Sequence, residues 1–319
     1  MPIVDMPIKE LVNYMGINPR PEDFDSFWDN ALEEMHRTPH NVELAPAAFQ
    51  ADFAECFDLY FDGTGGSRIH AKYVRPSRRE GKCPAVLQFH GYSCNAGDWF
   101  DKLAYAADGF CVAALDCRGQ GGYSEDLGRT LGTTYKCHFI KGLDGSPEDL
   151  FYKHMFLDTA KLADIVLSLP EVDAARVSAT GASQGGALTV ACAALEPRIK
   201  KLAPVYPFLS DYKRVWEMDL AKDAYDELKY YFRTFDPLHE RENEVFTKLG
   251  YIDIQYLAPR IKGETLWTVG LMDTICPPSS QFAAYNKITS KKNLLIYPDY
   301  CHEYIPGLAD RIFAFFTSK

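Results

Sequence analysis

The 319-residue chain is 47% apolar, enough to bury a full core as one α/β domain. Its formal charge of −10, from 34 Lys and Arg against 44 Asp and Glu, argues against a nucleic-acid partner, because phosphate contacts need clustered basic side chains. No apolar run reaches the length of a membrane span, so no membrane partner is expected.

Residues 1 to about 50 read as a helical extension, with Phe24, Phe27 and Trp28 close to helical spacing. Neither a basic n-region nor an apolar h-region opens the chain, which points to a cytoplasmic protein. Nine cysteines without a C-x-x-C pair fit reduced thiols better than a disulfide framework or a zinc site, and no metal or cofactor is expected. Residues 55–61 and 69–74 flank Gly63-Thr64-Gly65-Gly66 and predict a hairpin. From about residue 84 onward, strand-like runs alternate with helical stretches, as a mostly parallel sheet flanked by helices requires. The first such strand delivers the loop His90-Gly91-Tyr92. The second, residues 112–115, leads into Asp116-Cys117-Arg118-Gly119-Gln120-Gly121-Gly122. Residues 211–259, rich in aromatic and charged side chains, predict helices inserted between core strands as a lid or wall. A surface around residues 225–235 is a candidate lid or subunit contact. No linker, repeat or low-complexity tract divides residues 1–319 into two domains.

The chemistry concentrates at Gly181-Ala182-Ser183-Gln184-Gly185, between the β-prone residues 176–180 and a small-residue helix over 186–195. Strand, sharp turn, helix is the setting in which G-x-S-x-G becomes a nucleophile elbow, with its serine at a helix N-terminus. Without that setting, a glycine-rich turn with an incidental serine is the plainer reading. A nucleophilic serine needs a base and a group to orient it, in the chain order serine, acid, histidine. Asp273 follows the strand-like run 265–270, and His302 follows 293–297, so both lie just past strand ends in that order. Asp211 is the second candidate for the acid; Asp299 is close enough to His302 to shape its turn instead. His90 precedes the serine and belongs to a different element. The backbone N–H groups of Tyr92 and Gln184 are the candidate oxyanion donors, from the loop after a buried strand and from the residue after the nucleophile.

Arg118-Gly119-Gln120, Gly181-Ala182-Ser183-Gln184-Gly185 and His302-Glu303 together resemble the acetyl xylan esterase / cephalosporin-C deacetylase family of carbohydrate esterases. The likeness continues through Gly97-Asp98-Trp99, Phe235-Asp236-Pro237-Leu238-His239 and Cys276-Pro277-Pro278, and covers nearly the whole chain. The resemblance implies an α/β-hydrolase fold and a triad of Ser183, Asp273 and His302, with Arg118, Gly119, Gln120 and Glu303 as supporting motif residues. It also implies deacetylation of small acetylated sugars and cephalosporin C, sometimes with perhydrolysis, and homohexamers whose active sites open toward an interior cavity. One departure is Cys301, which precedes His302 where the family pattern has a small residue, often glycine. It bears on the mobility and redox sensitivity of that loop. A broad carboxylesterase or peptidase on the same fold is the competing enzymatic reading, and a non-catalytic binding protein the reading from another class.

Overall fold

The computed structural model describes residues 4–128 and 138–318. Among these, one sheet of nine strands runs in the order β1-β2-β3-β5-β4-β6-β7-β8-β9. The strands are β1 (Glu43–Pro46), β2 (Ala54–Asp62), β3 (Arg68–Pro76), β4 (Cys83–Phe89), β5 (Cys111–Leu115), β6 (Val172–Ala182), β7 (Lys201–Val205), β8 (Glu264–Gly270) and β9 (Lys292–Tyr297). The pairs β1–β2, β2–β3 and β3–β5 are antiparallel, and every pair from β5–β4 through β8–β9 is parallel. The predicted hairpin is β2–β3, closed at Asp62↔Arg68. Inside the parallel half β5, β7 and β8 are covered on both faces and nearly every residue is buried, all of them in β5, whereas the edge strand β9 is only partly buried.

The helices are α1 (Ile8–Leu11), α2 (Phe24–Arg37), α3 (Leu103–Ala107), α4 (Phe151–Ser168), α5 (Gln184–Leu195), α6 (Tyr212–Glu217), α7 (Asp226–Phe235), α8 (Glu242–Leu249), α9 (Ile254–Leu257), α10 (Pro278–Tyr285) and α11 (Leu308–Thr317). Every residue of α5 is buried, which its alanines and glycines permit by letting the helix lie close to β6 and β7. On the opposite face, Val86, Ala203, Val205 and Leu266 of the sheet pack against Leu308, Ile312 and Phe316 of α11. The stripe Phe24, Phe27, Trp28, Ala31 and Met35 of α2 is buried, and Trp28 stacks on Phe156 of α4 with ring centroids 5.9 Å apart.

Two expectations need correction. The stretch before residue 50 is not helical throughout, because Glu43–Pro46 adds β1 to the sheet edge beside β2. Four residues are too short for a periodic signal, and only pairing with β2 defines them as a strand. The aromatic face at residues 225–235 is not a surface. Tyr225, Leu228, Tyr231 and Phe232 are buried, and Tyr225 packs against Phe139, Phe208 and Tyr212. Aromatic rings on an amphipathic helix bury more apolar area inward than any other choice on that face. No helix among the described residues is long and apolar enough to cross a membrane.

Position in the sheet now determines what meets what. The chain runs from β4 to β5 on one side and later fills β6 on the other, so the loops after β4 and β6 diverge from neighbouring strand ends. Crevices form at such switch points. Phe89 pairs with Gly181, Val205 with Ala182 and with Thr268, and Gly270 with Tyr297. The loops carrying Tyr92, Ser183, Tyr206, Asp273 and His302 therefore leave one edge of the sheet side by side.

Candidate active site

Ser183 has φ 58° and ψ −119°, a conformation sparsely populated for a residue with a side chain. Such strain costs roughly 1–3 kcal/mol and persists only where the surroundings over-determine it. Here the Ser183 N–H donates to the Val205 carbonyl at 3.0 Å, and the Ser183 carbonyl accepts from Ala187 and Phe208, each at 3.1 Å. The flanking glycines are required by space: a Cβ at Gly181 would lie 2.4 Å from the Phe89 carbonyl oxygen, and one at Gly185 only 2.0 Å from it. Ser183 thus caps α5, whose first N–H groups have no partner inside the helix and point toward it. The buried Cys276 thiol lies beside its hydroxyl. Burial, then the charge of Asp273, pushes that thiol well above its ordinary range, so it stays protonated beside the serine.

Asp273 is fully buried just past β8. Its Oδ1 accepts from the N–H groups of Ile275 at 2.9 Å and Cys276 at 2.8 Å. Its Oδ2 lies 2.8 Å from His302 Nδ1. A carboxylate there places the proton on Nδ1 and leaves the Nε2 lone pair open, a tautomer assigned from the hydrogen bond. The loops after β8 and β9 are tied main chain to main chain. Leu271 N–H donates to Tyr297 and Met272 N–H to Tyr300, each at 3.0 Å. Cys301 is exposed, and its N–H donates at 3.0 Å to Glu303 Oε1, closing the histidine turn. The Tyr206 ring lies 4.4 Å from the His302 ring, on the loop after β7.

On the other side of Ser183, His90 Nε2 accepts the Cys117 N–H at 3.0 Å, so its proton sits on Nδ1, which donates to the Gly91 carbonyl at 2.7 Å. Gly91 C=O and Tyr92 N–H share one planar trans peptide and point in opposite directions, so this grip turns the Tyr92 N–H the other way. Burial lowers the pKa of His90, which keeps the ring neutral and able to accept from Cys117. Gln184 and Gln120 form a reciprocal amide pair, at 2.8 Å from Gln120 Nε2 to Gln184 Oε1 and 3.0 Å in return. Tyr152 donates to the same Gln184 oxygen at 2.8 Å, and Gln120 Oε1 accepts the Ser93 N–H at 3.1 Å. Gln120 therefore ties the elbow to the loop carrying Tyr92. Gly119 holds φ 60° at that corner. Arg118 pairs bidentately with Asp158 at 2.6 and 2.7 Å, buried and remote from any open surface, and also donates to the Thr64 carbonyl.

Asp211, the alternative acid, is also fully buried but faces the N-terminal segment. Tyr14 donates to it at 2.7 Å, and the N–H groups of Ile17 and Asn18 at 3.0 and 2.8 Å. Tyr206 and Tyr152 carry no signal in the sequence, because each acts by long-range contact, and Cys276 enters it only as part of the Cys276-Pro277-Pro278 likeness, without a role. Among the described residues no group of three or more His, Cys, Asp or Glu could hold a metal ion.

The chain is 58% identical, with a TM-score of 0.96, to acetyl xylan esterase 1 from Thermoanaerobacterium sp. JW/SL YS485, over 98% of each chain. It is 36% identical, TM-score 0.93, to the acetyl xylan esterase from Paenibacillus sp. R4, over 98% of this chain and 99% of that one. It is 27% identical over 284 residues to acetyl esterase Axe7A of Xylanibacter ruminicola, a match taking in 87% of this chain and 62% of that protein, so the chain spans under two thirds of that relative's length. The profile of the acetyl xylan esterase family matches residues 1–319, and the chain belongs to this α/β-hydrolase family of carboxylic ester hydrolases.

Proposed function

We propose that the protein removes O-acetyl groups from small acetylated substrates, acetylated xylo-oligosaccharides first and cephalosporin C second, through an acetyl-enzyme on Ser183. The observation that carries this reading is the 2.8 Å contact between Asp273 and His302 Nδ1, on loops that leave the sheet beside the strained serine. Ser183 Oγ attacks the acetyl carbonyl while His302 Nε2 takes its proton, and Asp273 holds the ring in that tautomer. The carbonyl oxygen, now negative, accepts from the backbone N–H groups of Tyr92 and Gln184. His302 then returns the proton to the departing sugar hydroxyl. Water repeats the sequence and releases acetate. The hydrogen bond from Ser183 Oγ to His302 Nε2 forms as substrate binds, with the Cys276 thiol beside the hydroxyl.

A net charge of −10 suits an uncharged sugar ester that needs no steering. The family likeness adds a closed homo-oligomer, a hexamer, in which an enclosed cavity admits oligosaccharides to Ser183 and keeps polymeric xylan out. Light scattering that returned a stable monomer of 36.0 kDa with the same selectivity would place that selectivity in the single subunit. Ser183→Ala is expected to lower kcat by about 10⁶ with the fold intact. Activity within tenfold of the parent removes Ser183 from the mechanism. Labelling by a serine-reactive phosphonate separates an enzyme from a binding module, and rates on p-nitrophenyl esters of rising acyl length separate a deacetylase from a broad carboxylesterase.

A further inference from the structure

Helix α10 begins five residues after Asp273 and lacks a side-chain cap of its own. Pro277, at the capping position, offers no side-chain bond, and Pro278 at the first turn has no N–H. The first orphan donor is the N–H of Ser279, which is fully buried. It is satisfied from the other end of the chain: Asp5 Oδ2 accepts it at 2.6 Å. Asp5 Oδ1 takes Arg214 Nη2 at 2.8 Å, and Arg214 Nε donates to Ser279 Oγ at 3.1 Å, with the Asp5 side chain 2% exposed. From Asp5 the N-terminal segment runs along α10 to its far end. There Asn286 Nδ2 donates to the carbonyls of Leu11 at 2.8 Å and Tyr14 at 2.7 Å, and Lys287 holds that of Met15. Leu11 packs with Phe282 of α10 and with Val269 and Leu271, the residues leading into Asp273.

We infer that Asp5 is a positioning residue for ester hydrolysis, fixing Asp273 by capping α10 from outside the loop. The inference rests on the reading of Asp273 as the group that orients His302. The two N–H groups that hold Asp273 Oδ1 belong to Ile275 and Cys276, in the turn whose far end is the start of α10. A carboxylate at a helix N-terminus stabilises the first turn through its unpaired N–H groups and the helix dipole. When that turn frays, the donors shift and Oδ2 drifts from Nδ1. Around Asp5 the charged and polar groups are Arg214, Ser279 and Tyr14, whose ring lies beneath the Arg214 guanidinium. Around His302 they are Asp273, Tyr206 and Glu303 of its own loop.

The test is steady-state kinetics on a p-nitrophenyl acetate series across pH, with full-length variants. For Asp5→Ala, kcat is expected to fall about tenfold with KM within about twofold, since misplaced catalytic groups cost rate more than binding. The midpoint of the acid limb is expected to move as well, which a variant that merely loses stability does not do. Asp211→Asn loosens the other end of the same segment without touching α10, and is expected to lower the melting temperature while leaving that midpoint in place. Should Asp5→Ala not fold, Asp5→Asn keeps an acceptor for the Ser279 N–H but loses the charge and the acceptor for Arg214, with an expected fall in kcat of about two- to threefold. Unchanged kcat and midpoint in the folded variant overturn the inference. So does a loss in KM alone, or the same midpoint shift in Asp211→Asn. Phosphonate labelling of the parent enzyme is the separate check: if Ser183 does not label, the reading of the site fails. If it labels and Asp5→Ala is silent, only the role of Asp5 does.

Discussion

The loops after β7 and β8 leave neighbouring parallel strands at the same edge of the sheet, and each carries a fully buried aspartate. Asp211 and Asp273 each take two backbone N–H donors on one oxygen. Those of Asp273 come from its own turn, at Ile275 and Cys276; those of Asp211 come from Ile17 and Asn18, nearly two hundred residues upstream. The other oxygen differs as well. It meets His302 Nδ1 at 2.8 Å in one case and the Tyr14 hydroxyl at 2.7 Å in the other. Burial and the charge of Asp211 push the Tyr14 phenol far above its ordinary range, so it holds its proton and can only brace. An imidazole in the same place can pass a proton on. Burial and backbone donors are thus common to both carboxylates; the chemistry of the partner, imidazole or phenol, is what separates them.

Asp273→Asn is the widest break in this comparison. Reversing the donor at Oδ2 forces the wrong imidazole tautomer and is expected to lower kcat by about 10⁴. If Asp211→Asn produced that loss instead, the two loops would have been assigned the wrong way round. A finer distinction lies inside the loop after β7, where Tyr206 faces His302 while Asp211, five residues on, faces away. Tyr206→Ala frees one side of the imidazole and is expected to lower kcat by about tenfold. A change confined to KM would make Tyr206 a substrate contact. Asp211→Asn is expected to keep activity within about threefold and to cost about 1–3 kcal/mol of stability, read from the denaturation midpoint, because the Tyr14 hydroxyl loses its carboxylate acceptor.

The smallest effect concerns a third buried carboxylate, with no imidazole or phenol partner among the described residues. Glu227 on α7 accepts the N–H groups of His138 at 2.9 Å and Ile140 at 3.3 Å, and burial pushes its pKa from 4.5 up to about 8. The folded protein therefore keeps this proton where the unfolded chain has lost it. Its contribution to stability is fully present below about pH 4.5 and declines as pH rises toward about 8. Relative to Glu227→Gln, which does not titrate, the parent's melting temperature is expected to fall between pH 5 and pH 8.5. A constant difference across that range would mean that Glu227 keeps an ordinary pKa.

Much of the site could be read along the chain because its signals are local. Gly181-Ala182-Ser183-Gln184-Gly185 carries both the tight turn and the helix start, and Asp273 and His302 are each marked by the strand they follow. The same locality explains the misreadings. Residues 225–235 show an aromatic face, but periodicity does not say whether that face meets solvent or Phe139, Phe208 and Tyr212. Glu43–Pro46 carries no periodic signal, and pairing alone makes it a strand.

By itself the amino-acid order determined the alternation of strand and helix, the glycines without which the elbow cannot close, and the succession of serine, aspartate and histidine. Each depends on backbone dihedrals or on spacing within a few residues. Tertiary structure decided which buried aspartate meets an imidazole, that Cys276 and Tyr206 border Ser183 and His302, and that Gln120 bonds Gln184 across the site. It also brought Asp5 to the start of α10, 274 residues away. These contacts depend on the order of strands in the sheet and the packing of loops across it, and neighbours in sequence carry no record of either.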